Sequence, residues 1–219
     1  MLKNNRFTLI ELLVIVAIIG ILVSMLLPSL TMTRLKAQMA VCQSNLNQIG
    51  KGVSLYGNSN KNYFPKERRS DAFFAWGGNS GSTSYWSSEG TKDEERPLYE
   101  YVDPRAFECP SSDKQDWVTK GSDYRANVGD FWYLPKNSIG SLDVNYEMMR
   151  VNDPARMGIL AEGGLFYEYM KFHKLRDYKY FNHFDNDRWV LLHADNHTSY
   201  VKGQMKMQAN ENYTLNNQK

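Results

Sequence analysis

Phe7-Thr-Leu-Ile-Glu-Leu-Leu-Val-Ile-Val-Ala-Ile-Ile-Gly-Ile-Leu-Val-Ser-Met-Leu-Leu27, followed by Pro28, is the stretch on which the reading of the fold turns. Of its 21 residues, 17 are apolar, and no charged residue occurs from Leu12 through Thr33. As a helix rising about 1.5 Å per residue it would be roughly 31 Å long, which matches the hydrocarbon core of a bilayer. A soluble core helix does not need apolar residues on every face over such a length. The stretch therefore predicts a membrane-spanning helix. A cleaved secretory signal fits less well, because its apolar region is only about 7–15 residues and ends in a small-x-small site. Ser24-Met25-Leu26 is not such a site. Lys3 and Arg6 precede the span and favour a cytoplasmic N-terminus, while Arg34 and Lys36 beyond it keep that bias mild.

Glu11 is the one acidic residue inside the run. A central charge in a transmembrane helix costs about 2.5–3.5 kcal/mol on insertion scales and points to function. Thr8-Leu-Ile-Glu11 also fits the S/T-x-x-E capping box, one turn from the helix start, where a carboxylate complements the helix dipole. Position alone leaves both roles open.

The string Arg6-Phe-Thr-Leu-Ile-Glu-Leu-Leu-Val14 resembles the processing site of type IV prepilin-like proteins, among them the pseudopilins of type II secretion systems. The resemblance implies that a dedicated membrane enzyme, the prepilin peptidase, cuts between Arg6 and Phe7 and methylates the new terminus at Phe7. It also implies that Glu11 neutralises the N-terminal amine of a neighbouring subunit during filament assembly. The chemistry is coherent, since a carboxylate and an ammonium removed from water each need a partner. The family has Gly before the scissile bond where this chain has Arg6. Pro28 is similar in placement to a helix-bending proline of pilins. A proline lacks the amide donor and clashes with the preceding turn, so a bend is expected there, or else a helix end at the membrane surface.

Outward from Pro28 the pattern changes. Met32, Leu35, Met39, Cys42, Leu46, Ile49, Val53 and Tyr56 recur at alternating intervals of three and four, a single apolar stripe on a helix that ends near Tyr56-Gly57-Asn58. A two-stranded coiled coil would carry the same stripe, but Gly50 and Gly52 weaken a free-standing coil, so packing on a sheet is expected. Cys42-Gln-Ser-Asn-Leu-Asn-Gln-Ile-Gly50, Tyr63-Phe-Pro65 and Phe107-Glu-Cys-Pro-Ser111 resemble recurring blocks of prepilin-like families from planctomycete and related bacteria. Those families carry a C-terminal H-x9-D-G pattern. Here the matching region runs from His183 to His197 as His183-x11-Asp195, with Asn196 in place of the Gly.

Arg188–His193 and His197–Lys202 are β-prone runs around Ala194-Asp-Asn196, a hairpin signal because Asp and Asn tolerate left-handed turns. Gly158–Ala161 is a shorter strand candidate. The Gly77–Gly90 stretch and the Lys92–Arg96 charge run are expected as exposed loops. The predicted organisation is a basic leader over 1–6, a transmembrane helix over 7–27, an amphipathic stalk helix over 28–56, and a globular α+β head over 57–219. The fold class is α+β and pilin-like, a long N-terminal helix packed on a small antiparallel sheet.

The chemistry of the head is sparse. Cys42 and Cys109 are the only cysteines, so a disulfide between them is possible if the head lies outside the cytoplasm, and Cys42 could equally be a core position of the stripe. His193-x-Asp195-x-His197 would share a strand face suited to a metal, but the turn placed there breaks the alignment. Asp185-Asn-Asp187 lacks the remaining spacing of a Ca²⁺ loop. No phosphate loop, dinucleotide fingerprint or nucleophile elbow occurs, and no carboxylate pair stands out. No cofactor, metal or catalytic residue is assigned. The aromatics Phe73, Phe74, Trp76, Tyr85, Trp86, Trp117, Phe131, Trp132 and Tyr133 are expected mostly in the core of the head.

With 26 Lys+Arg against 24 Asp+Glu the net charge is +2, which gives no pull toward nucleic acid. The expected function is a non-enzymatic pilin- or pseudopilin-like subunit that is anchored in the bacterial inner membrane with its head outside the cytoplasm. Its expected partners are the prepilin peptidase and like or related subunits of a type II secretion or type IV pilus-like filament. The alternatives are an anchored module that binds carbohydrate or protein, using the prepilin signal only for export, and an anchored enzyme acting on extracellular polysaccharide.

Overall fold

A computed structural model of the 219-residue chain describes residues 8–66, 76–82, 90–110, 118–119, 121–126, 148–151, 153–162 and 188–202. The chain forms two compact units, Met1–Ala37 and Gln38–Lys219. Helix α1, Leu9–Ser59, contributes to both.

In the first unit α1 begins at a reciprocal cap. The Thr8 backbone N–H and hydroxyl both donate to Glu11 Oε2 at 2.8 Å, and the Glu11 N–H donates to Thr8 Oγ1 at 3.3 Å. Two amide donors that lack helical partners are satisfied in this way. Pro28 lies inside α1, so a helix end at that position is ruled out. It has no N–H to offer the Ser24 carbonyl four residues back. Hydroxyls cluster around it. Ser24 donates to the Ile21 carbonyl at 2.7 Å, Thr31 to Leu27 at 3.0 Å, and Thr33 to Ser29 at 2.9 Å. Such back-bonding keeps a hydroxyl satisfied where no water is at hand.

In the second unit the stripe turns inward only from its third member. Met39, Cys42, Leu46, Ile49 and Val53 are buried, whereas Leu35 is half-buried and Met32 is exposed. Of these, Cys42, Leu46, Ile49 and Val53 share a core with Phe64, Trp76, Leu98, Phe107, Tyr124, Met157, Ile159, Leu160, Val190 and Leu192. Gly50 and Gly52, poor residues in a free helix, fit close contacts here. A Cβ on Gly50 would lie 2.9 Å from Leu192 Cδ1, and one on Gly52 would overlap the Val102 side chain. Tyr56 is half-buried against the core and meets Tyr101 edge-on, with ring centroids 5.8 Å apart. After α1 the chain turns through Lys61 and Asn62, both at positive φ, and the Asn60 side chain donates to the Tyr56 carbonyl at 2.8 Å.

Among the described residues two antiparallel sheets follow. A small one pairs β1, Gly81–Ser82, with β2, Gly90–Thr91. The larger is four-stranded in the order β3-β4-β5-β6, with β3 at Tyr124–Ala126, β4 at Gly158–Glu162, β5 at Arg188–His193 and β6 at Thr198–Lys202. Val190, Leu191 and Leu192 are successive and all buried, so β5 is covered on both faces. A bulge between Gly158 and Leu160 lets the neighbours Ile159 and Leu160 both join the core, which strict alternation would forbid. The hairpin expected around Ala194-Asp-Asn196 is β5–β6, in register from Arg188↔Lys202 to Leu192↔Thr198.

Three residues correct the expectation of exposed loops at Gly77–Gly90 and Lys92–Arg96: Gly77, Gly78 and Arg96 are buried, while Asn79, Ser80, Lys92, Glu94 and Glu95 are exposed. Gly78 and Gly121 sit at positive φ and press backbone to backbone, with the Asn79 N–H donating to the Gly121 carbonyl at 2.9 Å. Arg96 Nη1 donates to the Gly77 carbonyl at 2.7 Å. Burial pushes the Arg96 guanidinium down to about 10, against the opposing pull of Asp93. A charge run shows hydrophilicity, but it does not show which member turns inward to satisfy a buried carbonyl.

Candidate functional site

The apolar surface of the first unit is its most distinctive property. From Leu9 to Leu27 every large apolar side chain is exposed, between 44% and 79%, around the whole circumference of the helix. Burying one such side chain is worth about 1.5–3 kcal/mol. Fifteen of them together exceed the entire folding stability of an ordinary domain, roughly 5–15 kcal/mol. Water is therefore not their resting environment. By length and composition α1 is able to cross a membrane. Glu11 sits at the start of this surface, held by Thr8. An ionised carboxylate offers about four acceptor positions, so the two bonds from Thr8 leave room for a further donor. Arg6 and Phe7 lie outside the described residues.

In the second unit Cys42 and Cys109 are joined in a disulfide, Cα–Cα 5.3 Å, across 67 residues of sequence. Two helix side chains bracket it. Gln38 Nε2 donates to the Pro110 carbonyl at 3.0 Å, and Asn45 Nδ2 donates to the Glu108 carbonyl at 2.9 Å. Gln38, Cys42 and Asn45 are spaced i, i+4, i+7 and so share one helix face. From the other side the buried Asp123 accepts the Cys109 N–H at 2.7 Å, while its own N–H donates to the Phe107 carbonyl at 2.9 Å. The Phe107–Pro110 segment is thus fixed by one covalent bond and three hydrogen bonds from side chains. Gln38 and Asp123 carry no motif, Asn45 lies in the Cys42–Gly50 block without a role assigned to it, and the part all three play was not readable from spacing.

The β5–β6 turn brings His193, Asp195, Asn196 and His197 together. His193 and His197 stack with ring centroids 4.0 Å apart and planes 10° from parallel. His193 is buried, with its Nε2 2.7 Å from Ser199 Oγ, and His197 Nδ1 is 2.5 Å from Asp195 Oδ1. Stacked rings point their nitrogen lone pairs along parallel planes, a poor chelate. Among the described residues no group of three or more His, Cys, Asp or Glu is placed to hold a metal. Asn196 adopts φ 71°, and its N–H donates to the His193 carbonyl at 3.0 Å. The position demands a left-handed residue, which explains physically why Gly or Asn can occupy it. His183, Asp185, Asn186 and Asp187 lie outside the described residues, as do all the aromatics named above except Trp76. Trp76 is buried and stacks on Phe64 at 6.4 Å.

No family model matches the chain, and no curated protein or solved structure matches it. The functional reading therefore rests on the chain's own residues.

Proposed function

We propose that the chain is a pilin- or pseudopilin-like subunit, anchored by Leu9–Leu27 in the inner membrane and assembling with like or related subunits through that same helix. The observation that carries this reading is the unbroken exposed apolar surface with a single carboxylate, Glu11, at its start. A plain lipid anchor needs no acid at that point, whereas a helix that moves from lipid into a packed filament gains from a carboxylate that can meet a neighbour's ammonium. The disulfide supports a head outside the cytoplasm, since such bonds persist in oxidising compartments. In this scheme the prepilin peptidase cuts before Phe7, creating the ammonium that Glu11 meets.

The test is membrane-extracted protein from cells carrying the export system. Intact mass is expected to correspond to a chain starting at methylated Phe7. Glu11→Ala is expected to insert into the membrane normally and to drop out of cross-linked subunit ladders. A chain still beginning at Met1 removes the processing step. Unchanged ladders for Glu11→Ala remove the assembly role and leave an anchored binding module as the better reading.

A further inference from the structure

The hairpin tip combines three features that its place in a fold does not require. Two imidazoles are stacked at 4.0 Å. The inner one, His193, is fully enclosed. The turn between them reaches helix α1, where Asn196 Nδ2 donates to Ser54 Oγ at 2.6 Å and Asn196 Oδ1 lies against Gly50. We propose that this tip is an acid-released clasp: protonation of the stacked His193–His197 pair loosens the turn and frees Asn196 from Ser54.

The argument is electrostatic and geometric. Two parallel rings at van der Waals separation accommodate one positive charge far more readily than two, because like charges a few ångströms apart in a low-dielectric site repel strongly. His193 Nε2 meets the Ser199 hydroxyl at 2.7 Å, and the ring has no water-exposed surface to hydrate a proton. Burial, and then the neighbouring His197, push His193 down to about 4, while Asp195, the Arg156 backbone and Asp153 oppose that shift. Asp195 is held by His197, and Asp153 lies 3.9 Å from Arg156, so both acids already have cationic or hydrogen-bonding partners. A second proton on the pair therefore finds no cheap compensation. The least costly response is for the turn to swing into water, taking Asn196 with it. The clasp is independent of how the anchor assembles.

The experiment uses the full chain in detergent micelles and follows amide hydrogen exchange, corrected for intrinsic rates, between pH 7 and pH 4. Peptides from β5–β6 and from the Ile49–Tyr56 part of α1 are expected to lose protection together on acidification. The opening equilibrium is expected to rise at least about tenfold. His193→Phe keeps a flat ring in the stack and cannot take the proton, so this response is expected to vanish. His197→Phe folds with less perturbation because residue 197 is exposed, and it is expected to weaken the response by removing the like charge. Asn196→Gly is expected to uncouple the helix peptides while the hairpin still responds. Wild-type protection that is unchanged at pH 4 overturns the clasp. So does a full wild-type response in His193→Phe or, should that variant not fold, in His197→Phe.

Discussion

Asn196 Nδ2 donates to Ser54 Oγ at 2.6 Å, so the residue that bends the β5–β6 hairpin also attaches it to helix α1. Turn geometry and helix docking are thereby combined in one side chain. Asn196→Gly keeps the left-handed backbone and loses only the attachment, an expected cost of about 1 kcal/mol. Asn196→Ala loses the attachment too and keeps a Cβ at positive φ that Gly lacks, so it is expected to be less stable than Asn196→Gly by about 1–2 kcal/mol. Urea unfolding of the full chain in detergent ranks them, and equal losses would show that the turn conformation imposes no constraint.

Acid should weaken the fold, with a sign fixed by His193. Its folded value of about 4 lies below the ordinary 6.5, so the unfolded chain takes the proton first. The stabilising contribution is complete above about pH 6.5 and is lost as pH falls toward 4, amounting to on the order of 2–3 kcal/mol. Denaturation midpoints at pH 7, 5 and 4 check this, and a rise in stability across that window contradicts it.

Gly52 is expected to tolerate no side chain. A methyl there occupies the space of Val102 Cγ2, and overpacking of this kind typically costs about 1–3 kcal/mol. Val102→Ala in the Gly52→Ala background is expected to recover part of the loss. Additive losses in that double-mutant cycle would mean the two sites do not touch.

Replacing both cysteines by serine is expected to lower stability by about 2–4 kcal/mol through the freed 67-residue closure. The folded wild-type chain should offer no thiol to alkylation until it is reduced, and reduction should slow its mobility on a gel. Two reactive thiols without reductant would remove the bridge.

Thr8→Ala and Glu11→Ala separate capping from assembly. Thr8→Ala removes the two bonds of the Thr8 hydroxyl and Glu11→Ala the two bonds of the carboxylate, so each breaks the reciprocity of the cap, a loss of about 1 kcal/mol of helix stability. Only Glu11→Ala removes the carboxylate. Helix content by circular dichroism should fall equally in both, while subunit cross-linking should fail in Glu11→Ala alone. Equal cross-linking defects would reduce Glu11 to a cap.

Residues whose neighbours lie one helical turn or one strand step away were legible in the sequence. The Thr8–Glu11 cap, the Met39–Val53 stripe and the β5–β6 hairpin are all local periodicities, and each forms where its period places it. The stripe failed at its first members for a reason period cannot carry: Met32 and Leu35 belong to the first compact unit and the buried members to the second, and a repeat does not mark where one unit ends. Arg96 and Asp123 were illegible because their partners, the Gly77 carbonyl and the Cys109 N–H, are backbone groups common to every residue. Trp76 could be expected inside by size and apolarity, but the glycines beside it obscured its loop, since close backbone approach at Gly78 and Gly121 looks like flexibility in a sequence.

The bridge between Cys42 and Cys109 also has a mechanical meaning. Tension drawn along α1 from its N-terminal end would otherwise reach the head only through side-chain packing and the polypeptide after Ser59. The sulfur–sulfur bond gives that tension a covalent shortcut to the Phe107–Pro110 segment, where Gln38, Asn45 and Asp123 spread it over neighbouring backbone. A helix pulled from its N-terminal end would then transmit the load through Cys42 into that segment without first peeling from the sheet.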